Sequence, residues 1–260
     1  MKRSGAVAHA PARGEVANTI AETVYQRIRD DVLWGNLKPG VPLRSDALRT
    51  RYGVGISPLR EALTRLASER LVIAVGYRGF SVAPMTAYDV QDTKVARLVI
   101  EREALALSIR AGGLDWETAL VAAYHALSRT AIPTKPGPVS TLWATLHRRF
   151  HMALLSACGS RWLIELAGQF FDQAERHRIL RARLSPHESL TRDINKEHQC
   201  IFDAALSRDV KAAVQALETH YESTANWVTT AISHGKRRSK KQNSQRTADQ
   251  RDTALLIPIA

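Results

Sequence analysis

Apolar positions along the chain change their spacing from helical to alternating and back again. Ala21, Val24, Tyr25, Ile28 and Val32 recur at helical spacing and predict a first helix that ends near Gly35. Ser45 to Tyr52 reads as a second, short helix, with Ser45 as a cap and Gly53 at its stop. Leu59, Ala62, Leu63, Leu66 and Ala67 then mark the buried face of a third helix, opposite Arg60, Glu61, Thr64, Arg65 and Ser68. Ser57 suits the N-cap of that helix and Pro58 its first position, where a missing N–H costs nothing. Leu71 to Val75 and Gly79 to Ala83 read as two strands around Gly76-Tyr77-Arg78, a hairpin with a basic tip. The pattern over residues 19–84 therefore predicts a helix-turn-helix with a basic wing.

From Thr86 the spacing is helical throughout. Helices are predicted over about 87–111, 115–131, 139–157, 160–184, 187–206 and 209–233. Gly112-Gly113, Pro133 to Pro138, Gly159, Pro186 and Ser207-Arg208-Asp209 punctuate them. With no useful alternation, internal repeat or long heptad array, residues 85–234 read as an all-α antiparallel helical bundle. The expected fold class is mainly α: a winged helix-turn-helix of three helices and a β-hairpin, then the bundle. Residues 1–18 lack any period and read as a disordered arm. Residues 235–260 open with Lys236-Arg237-Arg238-Ser239-Lys240-Lys241 and read as a basic disordered tail, either attracting phosphate nonspecifically or merely solvated.

Charge sharpens this division. Residues 1–85 hold 13 Lys and Arg against 7 Asp and Glu, residues 86–234 hold 17 against 16, and residues 235–260 hold 7 against 2. The excess of +12 thus sits on the predicted winged helix and the tail, as suits a nucleic-acid reader joined to a neutral sensing or assembly domain. No apolar run approaches the ~18 residues of a membrane helix, and no secretory signal is visible. Cys158 and Cys200 match no metal or redox spacing and read as thiols in a reducing cytoplasm.

Two groups of residues could carry chemistry. In the helix-turn-helix, the N-terminus of the third helix offers N–H groups to phosphate near Gly55 and Pro58, and Ser57 adds a hydroxyl. Arg60 is placed to reach a guanine edge or a flanking phosphate, and Arg44 and Arg49 to hold the backbone. Arg78 and Gly79 in the wing could enter a minor groove. Each arginine taken singly also reads as a solvated surface charge. The second group is histidine. His147 and His151, spaced i, i+4, share one face of a helix, while His198 and His220 lie about ten residues either side of a short turn. The four could converge inside the bundle; from periodicity alone, buried histidines bonded to carbonyls are the commoner outcome.

Gly53-Val54-x-x-Ser57-Pro58-Leu59-Arg60-Glu61-Ala62-Leu63, then Glu69-Arg70-Leu71-Val72 and Arg78-Gly79-Phe80-x-Val82, resemble the winged helix of the GntR family of bacterial transcription regulators. Gly35-Asn36-Leu37-Lys38-Pro39-Gly40 resembles that family's turn after its first helix. Where these regulators often carry an arginine this chain has Ile56, which cannot hydrogen-bond a base but could touch a thymine methyl. Residues 86–234 resemble the FCD effector domain of the FadR-type branch. That resemblance implies metal ligands at His151, His198 and His220, with His147 where the family usually has aspartate. Arg97-Leu98-Val99-Ile100-Glu101 matches the start of the domain's first helix, whose arginine commonly faces the effector.

The resemblance implies a dimeric, ligand-responsive repressor that reads an inverted-repeat DNA operator and holds a divalent transition metal, zinc or nickel. A divalent site with an aspartate ligand keeps a net charge of about +1, and with four neutral imidazoles about +2. With Arg97 in the pocket and Arg148 or Arg149 at its rim, the expected effector is a small carboxylate, either a dicarboxylate or an amino-acid-derived acid. A helical metallo-enzyme is disfavoured, since Glu-x-x-His pairs and a His-Glu-x-x-His segment are missing. A metal-free dimerisation module remains the other alternative.

Overall fold

The computed structural model describes residues 19–76, 79–133, 138–184 and 192–254, with side chains omitted at 138–139, 183–184 and 234–254. The N-terminal arm of residues 1–18 and the wing tip with Arg78 lie outside the described residues. Thr19 opens α1 (Ile20–Leu33), its hydroxyl accepting from the Glu22 N–H at 3.1 Å. The apolar stripe read from the sequence is the face it buries, with Val24, Tyr25, Ile28 and Val32 all inside. α2 (Ser45–Tyr52) stops at Gly53, whose φ of 68° is the left-handed conformation that glycine adopts without strain. α3 (Ile56–Ser68) buries Leu59, Ala62, Leu63 and Leu66.

The helix starts correct two caps. Arg44, not Ser45, is the N-cap of α2, and Gly55, not Ser57, is the N-cap of α3. Ser57 and Pro58 therefore sit within the first turn of α3, where backbone N–H groups have no intrahelical partner. Pro58 is the third helical residue and not the first, and is tolerated for the same reason: the N–H it lacks would have no intrahelical partner. The wing is a three-stranded antiparallel sheet in the order β1 (Pro42–Leu43), β3 (Phe80–Val82), β2 (Val72–Ala74). Leu43 pairs with Phe80, and Val72 with Val82. β1 is new relative to the sequence reading, because two residues are too few to show alternation.

The bundle comprises α4 (Ala87–Ala111), α5 (Leu114–Ser128), α6 (Pro138–Leu155), α7 (Arg161–Leu184), α8 (Ile194–Leu206) and α9 (Val210–Ala254). Thr86 and Asp89 close α4 with a reciprocal capping box. Leu105, Leu120, Trp143, Phe150, Leu154, Ile201 and Leu217 meet in one core. The turn between α8 and α9 uses Arg208 at φ 58°, after which Asp209 accepts from the Ala212 N–H at 2.9 Å and starts α9. α9 does not stop near residue 233 but runs on to Ala254, through the stretch expected as a disordered tail. Lys, Arg and Gln, good helix formers, are the commonest residues over 235–254 and Pro258 is the first proline after them, so no strong breaker opposes helix before it. No helix among the described residues is long and apolar enough to cross a membrane.

Candidate metal centre and nucleic-acid interface

Arginines of the winged helix fall into two groups. Arg51 pairs with Asp31 at 2.7 Å, Arg27 lies over the Tyr52 ring, and Arg65 lies 3.7 Å over the Tyr25 ring while reaching Glu22 and Glu69. These brace the domain. Arg44 and Arg60 are exposed and make no ion pair among the described residues, and Arg49 has only Asp46 at 3.7 Å. Arg60, Ser57 and Ile56, the last 54% exposed, crowd the first turns of α3. Gly55 caps it, and Gly79 takes φ 87° at the wing. The first turns of α3 thus offer one guanidinium without an ion pair among the described residues, Arg60, and one uncovered aliphatic side chain, Ile56.

Inside the bundle the four histidines converge. His147 and His151 come from α6, His198 from α8 and His220 from α9; each offers a ring nitrogen, and these nitrogens lie within 4.8 Å of one another. All four are buried. The Nε2 atoms of His147 and His151 are 3.0 Å apart. Phe150 and Phe171 pack against the rings and keep the centre apolar at its edge.

Groups around this centre orient the imidazoles. Glu197 accepts from His220 Nδ1 at 2.7 Å, leaving Nε2 as the ring's free lone pair. Arg192 donates to the same carboxylate at 2.9 Å, and together these outweigh burial and hold Glu197 at about 2. Tyr221 brings its hydroxyl to 3.4 Å from His151 Nδ1. Glu175 lies 3.6 Å from His147 Nδ1, in ion-pair range but beyond a hydrogen bond, which leaves that nitrogen unpartnered. Burial raises the Glu175 carboxyl, but Arg178 at 2.9 Å lowers it further, to about 2.

Fit to a metal is tested by what the centre leaves unsatisfied. Both ring nitrogens of His198 are buried without a hydrogen-bond partner. A buried imidazole in that state forfeits its water bonds for nothing, a cost that an ion removes. Four neutral imidazoles suit zinc, nickel and related ions better than magnesium or calcium. The residues present fit such an ion, with His147, His151, His198 and His220 as its holders.

A cavity of about 30 Å³ adjoins the histidines, lined among others by Arg97, Trp143, Phe171, Glu175, Arg178 and Arg192. Arg97 is where the sequence put it, but it is already engaged: it donates to Glu101 at 2.7 Å and to the Tyr221 hydroxyl at 2.7 Å. Arg148 and Arg149, expected at the rim, are exposed and do not line this cavity; Arg148 instead pairs with Asp172 of α7 at 3.1 Å. Residues one and two places after an inward-facing His147 are turned away by the 100° step of the helix. Sequence reading missed Trp143, Glu175, Arg178 and Arg192. Glu197 alone carried a signal, as the neighbour of His198. The buried indole N–H of Trp143 has no acceptor.

Residues 20–82 match the family described as bacterial regulatory proteins, gntR family, and residues 92–223 match the FCD domain. The HTH-type transcriptional regulator BphR of Paraburkholderia xenovorans is 36% identical over 212 residues, covering 81% of this chain and 85% of that protein. The chain belongs to the GntR family. The HTH-type transcriptional repressor GlaR of Escherichia coli is 33% identical over 197 residues, covering 75% of this chain and 90% of GlaR. E. coli McbR/YncC shares the fold, at a TM-score of 0.66 and 19% identity over 82% of this chain and 98% of that one. This GntR protein is accordingly a DNA-binding transcription regulator with an FCD domain, and not an enzyme. FCD domains commonly bind metals.

In this regulator the buried histidines also set an acid limit. Burial holds His147 down at about 4 and keeps His151, His198 and His220 below the ordinary 6.5; His177, buried beside Arg176, is held at about 3. A base whose folded value is depressed binds fewer protons than in the unfolded chain. Stability therefore rises with pH across the window between the folded values and 6.5, and is lost as pH falls through it. Each unit expressed costs ~1.4 kcal/mol. Thermal melts of chelated protein should show the midpoint falling steadily from pH 7 to about 4.5; a flat profile would mean that these imidazoles are not buried and neutral.

Proposed function

We propose that this regulator binds an inverted-repeat operator as a homodimer and represses transcription until a small carboxylate reaches the four-histidine centre. A dicarboxylate or an amino-acid-derived acid is the class that suits the site. A dyad-related pair of winged helices presents two copies of Arg44, Arg49, Arg60 and the wing to two half-sites. Repression is supported by the relatives GlaR and RspR of E. coli, both named repressors.

The observation that carries the effector reading is the set of buried groups left without partners: both nitrogens of His198, and the Trp143 N–H at the cavity beside it. A divalent ion, zinc or nickel, would supply about two positive charges there. The arginines add none. Arg97 is balanced by Glu101, Arg178 by Glu175 and Arg192 by Glu197. The ion's charge, undiminished by four neutral imidazoles, is then what an anion must balance, because an uncompensated charge in a dry bundle is costly. Trp143 is placed to donate to a carboxylate oxygen. The arginines, each already fixed by its own carboxylate, hold the cavity's shape.

His147→Asp tests this directly. The variant should keep its metal yet bind small dicarboxylates roughly 10-fold more weakly by calorimetry, since the ligand set then carries one negative charge of its own. Unchanged anion affinity would remove His147 from the site.

A further inference from the structure

The cavity beside the histidines, at about 30 Å³, has room for about one or two waters. A dicarboxylate is several times larger, so a wall must give way when it enters. Three wall helices are fastened to the centre itself: α6, α8 and α9 carry the four histidines. α4 carries none, but it is tied to α9 by Arg97 with Tyr221, and by Arg102 with Glu218 at 2.9 Å. α7 contributes Phe171, Ala174, Glu175 and Arg178, one helical face at i, i+3, i+4 and i+7, and none of the four histidines.

The other side of α7 touches the DNA-binding domain. Gln173 donates to the backbone oxygen of Glu69 at 2.9 Å, and Glu69 is the C-cap of the recognition helix α3. Asp172 accepts from Arg29 of α1 through one oxygen and from Arg148 of α6 through the other. Arg176, buried, donates to the Ala83 oxygen where β3 leaves the sheet. Between α1 and α7 lies an open cleft of about 600 Å³, lined by Tyr25, Arg29, Arg148 and Gln169 among others, so this contact is a few polar clasps and not a packed core. At its C-terminal end α7 is anchored back on α9, with Arg181 3.7 Å over the Trp227 ring.

We propose that α7 is the wall that yields when the cavity fills, and that Asp172, Gln173 and Arg176 are positioning residues that pass its displacement to the winged domain, Gln173 at the C-cap of α3 itself. The inference rests on the anion-binding reading above. A helix is stiff along its length, so a push on Ala174 and Glu175 reaches the clasps on the opposite side within one turn. The recognition helix then shifts at its C-cap while its N-terminal turns face DNA. Coupling of this kind is reciprocal: whatever fills the cavity changes DNA affinity, and DNA changes affinity for the cavity.

The push can be supplied without any ligand. Ala174 borders the cavity, and Ala174→Phe in the full-length chain fills it from the α7 side. With an operator selected in vitro as probe, this substitution is expected to change DNA affinity by at least about 5-fold. In an Asp172→Ala/Gln173→Ala/Arg176→Ala background the same substitution should change it by less than about 2-fold, since all three clasps are gone. Ala174→Leu replaces Ala174→Phe if the latter fails to give a cooperative melt. Equal effects in the two backgrounds, or no effect in either, overturns the proposal. A separate Zn²⁺ titration of the wild-type chain judges the metal reading on its own: absent zinc binding defeats that reading, while the mutant cycle still decides the role of α7.

Discussion

Replacing His151, His198 and His220 together by alanine is expected to take bound metal from about one ion per chain to none, and to abolish the response to carboxylates. The three imidazoles come from three helices, so no local rearrangement of one helix can restore the set. The DNA-binding domain has its own core around Ile28, Leu59, Leu63 and Leu66, and so should still bind operator in the triple variant. A milder variant probes the same centre from outside. Glu197→Gln leaves every imidazole in place but weakens the acceptor that fixes the His220 tautomer, and should cost roughly 10–100-fold in metal affinity. Elemental analysis and metal titration of both variants check these outcomes. Wild-type metal content in the triple variant would place the ion elsewhere in the chain.

Arg60→Ala is expected to cost ~1–3 kcal/mol on the cognate operator, or roughly 5–150-fold in affinity, and to relax specificity at one base pair in each half-site. Arg60 is exposed in the first turns of α3 and makes no ion pair among the described residues. Arg65, one turn further on, serves as a control: it is held by Glu22 and the Tyr25 ring, so Arg65→Ala should lower stability while leaving base preference intact. Arg44→Ala should behave differently again, weakening all DNA sequences alike and reducing the salt slope by about one. Footprinting should show two protected half-sites related by a dyad. Protection of one asymmetric site, or an Arg60→Ala protein with unaltered base preference, would contradict the assignment.

The reader domain was legible because its signals are local. Helical spacing located all three helices of the winged domain, and only their first residues moved: Gly55 takes the N-cap that Ser57 seemed to suit. β1 is too short for any period to reveal. In the bundle, the i, i+4 pair and the equal distances of His198 and His220 from one turn allowed four histidines to meet. The resemblance to the FCD domain was needed to favour that over separate buried histidines; they do meet. The surroundings of those histidines were not legible. Trp143, Glu175 and Arg178 reach the cavity because of how α7 crosses α6, an angle fixed by packing and written in no spacing. Arg97 was placed in the right cavity but not with its partners Glu101 and Tyr221, which removes its charge from the ledger. Arg148 is the instructive error: it leaves the effector cavity and instead shares Asp172 with Arg29, at the contact between domains.

The central claim is that a metal-loaded FCD domain reads a carboxylate and changes operator binding. Its most direct measurement is operator affinity of the full-length protein, as purified and after chelation, each with and without a panel of small dicarboxylates and amino-acid-derived acids. At least one acid should weaken operator binding by about 10-fold in the metal-loaded protein, lose that effect after chelation, and regain it when Zn²⁺ is restored. An acid that acts equally on the chelated protein would contradict the account.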